Sequence, residues 1–126
     1  MANRCIKNLL KLICLLQDNS ENSNCLEEGC SKSFLGPNIN CICYNTRVIT
    51  IYNKNGSLFT TTYIDEDNVT QTSSLFRVER VLEDTCVLRI LSEIDGDYVS
   101  TNNFITVNLG CICAIKCLDD VVIENL

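Results

Sequence analysis

Ten of the 126 residues are cysteines: Cys5, Cys14, Cys25, Cys30, Cys41, Cys43, Cys86, Cys111, Cys113 and Cys117. A thiol can ligate a metal, join another thiol, or stay buried and inert. Cys41-x-Cys43 and Cys111-x-Cys113 together offer four thiolates, enough for one Zn²⁺, but structural zinc sites favour two to four residues between paired ligands. On a β-strand, thiols at i and i+2 point the same way about 7 Å apart. That is too far for a bond between them, so each needs a partner on another segment.

The other chemistry-bearing residues point away from catalysis. There is no His, which removes the commonest general base and the usual partner of a Ser or Cys nucleophile. The clusters Asp65-Glu66-Asp67 and Asp119-Asp120 lack the glycine and ligand spacing of a calcium loop and read as solvated surface. No glycine-rich phosphate loop or serine elbow is present. The chain reads as a non-enzyme without cofactor or metal.

Charge and hydropathy narrow the partners. A net charge of −6 with ten scattered Lys and Arg gives no electrostatic footprint for nucleic acid. No run approaches the length of a membrane-spanning helix. Near the start, Arg4, Lys7 and Lys11 are threaded through the apolar residues, and no small-x-small cleavage site follows. This reads as no signal peptide. The result is a tension, because so many cysteines suit an oxidising compartment whereas cytosolic thiols stay reduced. Either the cysteines bind metal, or they are buried thiols, or they oxidise after the protein leaves the reducing cell without secretion.

The elements that would position these thiols follow from periodicity. Residues 4–17 form an amphipathic helix with Ile6, Leu9, Leu10, Ile13 and Leu16 on one stripe. Cys5 and Cys14 lie nine residues apart, on opposite sides of it. They are either small edge residues of a core helix or thiols aimed at different neighbours. Residues 18–24 are a polar turn, and residues 25–43, with Gly29, Gly36 and Pro37, are loop-like.

From residue 45 the pattern is that of strands. Residues 46–53 and 57–63 are β-branched and aromatic, with the Asn55-Gly56 hairpin signal between them. Residues 65–74 read as loop. Residues 75–82 and 85–92 alternate in polarity, and Asp95-Gly96-Asp97 is a turn. Residues 104–118 read as a last strand unit. If it is unbroken, Cys111, Cys113 and Cys117 continue the buried face of Ile105, Val107 and Leu109. If Gly110 marks a bulge or a break, a one-residue slip turns all three thiols over. The expected fold is mainly β: a β-sandwich-like antiparallel domain with an N-terminal amphipathic α-helix. Residues 1–44 hold the helix and the Cys-rich loop, residues 45–126 the β domain, and the two fold as one unit.

Several segments resemble the spore coat protein Y/Z family. They are Phe76-Arg77-Val78-Glu79, Cys86-Val87-Leu88-Arg89-Ile90-Leu91 and, above all, Ile105-Thr106-Val107-Asn108-Leu109-Gly110-Cys111-Ile112-Cys113-Ala114-Ile115-Lys116-Cys117-Leu118. Ser33-Phe34-Leu35-Gly36 and Asn45-Thr46-Arg47 are similar landmarks. The family comprises cysteine-rich proteins of the outer coat, crust or exosporium of Firmicute spores. The resemblance implies a structural protein made in the mother cell without a signal and oxidised on the spore surface after lysis. It implies self-assembly into hexamers and two-dimensional lattices hardened by disulfides, alongside other coat or exosporium proteins. The chain departs from the family in having no His at all, where members often carry His- and Cys-rich tails, and in carrying Val48 where Pro is common. On this reading Cys5, Cys14, Cys25 and Cys30 are the candidate intermolecular thiols, whereas Cys41, Cys43, Cys86, Cys111, Cys113 and Cys117 are intramolecular or core. The rival readings are a zinc-stabilised binding module and a monomeric disulfide-rich domain.

Overall fold

Apolar residues at three- and four-residue spacing build the first element, α1 (Arg4–Glu21). The computed structural model describes residues 4–21, 44–124 and 126. The helix runs to Glu21, beyond the expected stop at residue 17 and into the stretch expected to be a polar turn. Leu10 and Ile13 are fully buried, with Ile6 and Leu9 packed beside them. Leu16, expected on the same stripe, is exposed, and Gln17 is buried in its stead. On a wheel of 100° per residue, Gln17 lies between Leu10 and Ile13 whereas Leu16 lies off to one side. A buried amide is tolerated because it finds partners inside. Gln17 Nε2 donates to the Val78 carbonyl at 2.7 Å, and its Oε1 accepts from the Arg47 amide at 3.1 Å.

Those partners belong to two strands of the main sheet. It is antiparallel and five-stranded, in the order β6-β5-β4-β1-β7. Its members are β1 (Thr46–Asn53), β4 (Leu75–Val81), β5 (Thr85–Ile94), β6 (Asp97–Asn108) and β7 (Ile112–Val121). β1 and β4 pair in register only at Ile49 and Phe76. Beyond that point the Gln17 side chain bridges backbone groups that the ladder leaves open.

The main core lies on the helix side of the sheet. It joins Leu10 and Ile13 to Ile49, Ile51, Phe76, Val78, Cys86, Leu88, Ile90, Val107, Leu109 and Ile112. A smaller cluster of Val48, Leu91 and Ile123, with Leu75, Tyr98 and Val121 against it, forms separately.

The Asn55-Gly56 turn forms as expected, with Gly56 at φ +85° and its amide donating to the Asn53 carbonyl at 2.9 Å. The segment after it does not return as a long hairpin strand. A single bridge joins Tyr52 to Leu58, after which the chain leaves to form β2 (Thr61–Ile64). β2 pairs with β3 (Thr70–Ser73), inside the stretch that reads as loop. β3 carries no apolar alternation because three of its four residues are exposed. Phe59 and Tyr63 pack this smaller unit onto the main core, and the Phe59 and Phe76 rings lie 5.7 Å apart.

Residues 104–118 are not one strand. β6 starts at Asp97 and ends at Asn108, a 3₁₀ turn spans Leu109–Cys111, and β7 follows. Asn108 Oδ1 caps the turn by accepting from the Gly110 amide at 2.7 Å.

Candidate functional site

The turn at Gly110 decides which way the last thiols face. Leu109 and Ile112 are buried, whereas Cys111, Cys113 and Cys117 are all exposed. The expectation that these three face the core is therefore corrected. A turn three residues long breaks the two-residue alternation, so Ile112 takes the inward phase in place of its cysteine neighbours.

β7 is an edge strand that pairs with β1 in a register that jumps twice. Tyr52 pairs with Ala114 and Asn53 with Ile112, which leaves Cys113 as the extra, bulged residue. Val48 pairs with Asp119 and Ile49 with Cys117, which leaves Leu118 likewise. A bulge re-aims side chains at a sheet edge, and here one of the re-aimed groups is a thiol. Cys117 lies across from Ile49 and beside the best-formed ion pair on this edge. Arg47 Nε and Nη2 meet the two oxygens of Asp120 at 2.7 and 3.0 Å. The bonds from Arg47 hold the Asp120 carboxyl below its ordinary range. The bond to Asp120 raises Arg47 in turn, with a smaller contribution from the Cys117 sulfur. Tyr44, Cys117, Leu118, Asp119 and Asp120 line an open recess of about 380 Å³ here.

The remaining described thiols divide by environment. Cys5 is exposed on α1. Cys14 is half-buried, and its thiol lies 3.6 Å from the Glu79 carbonyl, to which it donates. Cys86 is fully buried, and burial pushes its pKa up to about 11. None of these six cysteines is disulfide-bonded. Cys25, Cys30, Cys41 and Cys43 lie outside the described residues. Among the described residues no three His, Cys, Asp or Glu come together as a metal cluster, and no helix is long and apolar enough to cross a membrane.

The acidic stretch at Asp65 is occupied by its own turn. Asp65 Oδ1 accepts from the amides of Asp67 and Val69, and Gln71 donates to Oδ2. The Val69 amide bond above all lowers the Asp65 pKa.

Periodicity alone does not reveal a polar network that supports this edge. Arg77 and Arg89, both buried, share Glu79 Oε2 at 2.6 and 3.1 Å. Arg77 also donates to Thr46 Oγ1 and the Asn45 carbonyl, both at 3.0 Å. Asn45 closes the chain end by bonding both the amide and the carbonyl of Ile123. Asn45-Thr46-Arg47 is thus a hub tying β1 to β4, β7 and the C-terminal residues. The available signal was the survival of Arg77, Glu79 and Arg89 inside alternating apolar strands.

In comparison with known proteins, residues 1–98 match a family model described as Spore coat protein Z. The matched region ends inside β6, ahead of the thiol-bearing strand. No match to the chain was found among curated proteins or among solved structures.

Proposed function

The chain belongs to the spore coat protein Z family, and from that premise we propose that it is a self-assembling structural protein of the spore surface whose exposed thiols crosslink neighbouring copies. Membership supports a structural role in the coat and a place at the spore surface. The finer reading is a hexamer-based two-dimensional lattice in the outer coat, crust or exosporium, made of this chain and other coat components and hardened by oxidation. The observation that carries it is the exposure of Cys111 in the 3₁₀ turn and of Cys113 and Cys117 on the bulged edge strand that follows it. Thiols on an ordered strand reach a neighbour at a fixed position, so a bond between copies closes a contact already made.

The structure changes which thiols are the best candidates. Cys5 keeps its intermolecular role because it is exposed, and Cys111, Cys113 and Cys117 join it. Cys14 is less suited, since it packs against the main core. Cys86 is buried and has no access to a partner. A disulfide is worth about 2–4 kcal/mol within a chain. Between copies in a lattice it makes each dissociation a local opening that recloses at high effective concentration.

The test is electron microscopy of the purified chain with and without reductant, followed by denaturing gels. Rings or regular sheets are expected, with oxidised material entering the gel only after reductant is added. A single 14.1 kDa species under every condition overturns the reading and leaves the monomeric domain. Stoichiometric zinc whose chelation unfolds the chain would replace it with the metal-stabilised module.

A further inference from the structure

Helix α1 has a second apolar face that lies exposed among the described residues. Leu12, Leu15 and Leu16 are 50%, 55% and 42% exposed. On the helical wheel they share a stripe roughly opposite the buried one of Leu10, Ile13 and Gln17. The charges line one flank between the two stripes. Arg4, Lys7 and Lys11 come first along it, and Asp18 comes at the far end. This order opposes the helix's own dipole, with no acidic residue in the first turn and no basic residue in the last. Positive charge near an N-terminus and negative charge near a C-terminus both cost stability. Lys7 lies 3.8 Å from Glu83.

We propose that this face binds the same face of a second copy, as an antiparallel helix pair about a twofold axis. The proposal rests on the self-assembly reading and names the contact that reading leaves open. A twofold axis between two helices reverses their direction and keeps the same flank of each on the same side of the pair. The basic first half of one flank then lies along the acidic end of the other, so that opposite charges face each other across the pair. The registers agree. Setting Leu12 of one copy opposite Leu16 of the other brings Lys11 to within one residue's rise, about 1.5 Å, of the level of Asp18 of the second copy. Apolar and charge matching are therefore met together in this alignment.

The same register separates the two Cys5 residues by about 27 Å along the axis. A Cys5–Cys5 disulfide does not staple this contact, and Cys5 is left to reach a third copy. The pairing is accordingly indifferent to reductant and sensitive to salt.

Sedimentation velocity of the full chain in reductant, at low salt and over a concentration series, tests this. The wild type should show reversible pairing. Lys11→Glu and Asp18→Lys should each weaken it at least about tenfold, and the double variant should recover it. Leu15→Glu should abolish it without moving the urea midpoint measured at a dilution where the wild type is monomeric, since Leu15 is exposed. The proposal is overturned if the wild type stays monomeric to about 1 mM, or if the double variant associates no better than the singles. It is also overturned if Leu15→Glu lowers the urea midpoint at that dilution, which would mean that the face is covered within the single chain. Imaging separates this contact from the function. Normal sheets from Leu15→Glu protein would remove the helix pair and leave the coat role intact. Reversible pairing without any sheets would do the opposite.

Discussion

Cys86 and Cys117 show how completely surroundings decide what a thiol does. Both stand on strands of one sheet, yet Cys86 is fully buried in the main core and Cys117 is exposed beside a bidentate ion pair. Reactivity requires the thiolate, and burial pushes the Cys86 pKa from 9.0 up to about 11. The folded chain therefore holds this proton more tightly than the unfolded chain. Its contribution to stability is complete below about pH 9 and is lost as pH rises toward 11, at up to about 1.4 kcal/mol per pH unit. Urea unfolding in reductant should show wild-type stability falling across that window more steeply than that of Cys86→Ala, which carries its own constant cavity penalty. Parallel pH profiles for the two proteins would show that Cys86 is not the group responsible.

At the scale of elements, the helix is held by more than its apolar stripe. β1 and β4 pair in register at a single position, and the Gln17 amide spans the gap beyond it, to the Arg47 amide and the Val78 carbonyl. Removing it leaves two backbone groups without partners at about 1–3 kcal/mol each. Gln17→Ala should therefore lower unfolding stability by about 2–6 kcal/mol. Gln17→Glu keeps the acceptor but sets a buried carboxylate against a carbonyl, which raises its pKa in the folded state. Its stability should improve as pH falls, because the protonated acid can donate where the amide did. A Gln17→Ala variant as stable as wild type would mean that the helix docks by apolar contact alone.

The same residue shows where the sequence was legible and where it was not. Leu10 and Ile13 are readable from spacing, which continues the stripe to Leu16, whereas Gln17 is polar and adds nothing to an apolar pattern. Its burial depends on a splay between two strands that no local pattern records. β3 was hidden for the opposite reason, since Thr70-Gln71-Thr72 faces solvent and has no alternation to read. Gly110 was visible as a place where phase could slip. The direction of the slip depends on the Asn108 cap and on Ile112 filling the core. The mainly β character and the N-terminal helix, which rest on composition and long periodic runs, came through intact.

Across the whole molecule, the two outer strands bear on how copies can meet. β7 is bulged at Cys113 and Leu118. On β6 the register passes from Arg89–Phe104 to Leu91–Ser100, so Ile90 alone faces a three-residue excursion. Bulged edges are poor templates for adding a strand from another chain. Under the proposed assembly, growth runs through faces, such as that of Leu12, Leu15 and Leu16, with edge thiols closing bonds after the faces have met. In that order, noncovalent assembly precedes oxidation. Replacing Cys111, Cys113 and Cys117 together by Ser should leave particles of unchanged shape under reductant. After oxidation, hot detergent without reductant should release far more single chains from the triple variant than from wild type. The exposed positions make misfolding an improbable confounder, and a Cys5→Ser chain tests whether the helix thiol carries part of the hardening. If the triple variant never assembles even where reduced wild type does, these side chains shape the contact itself. If neither assembles until oxidised, sulfur chemistry drives growth and the order is reversed.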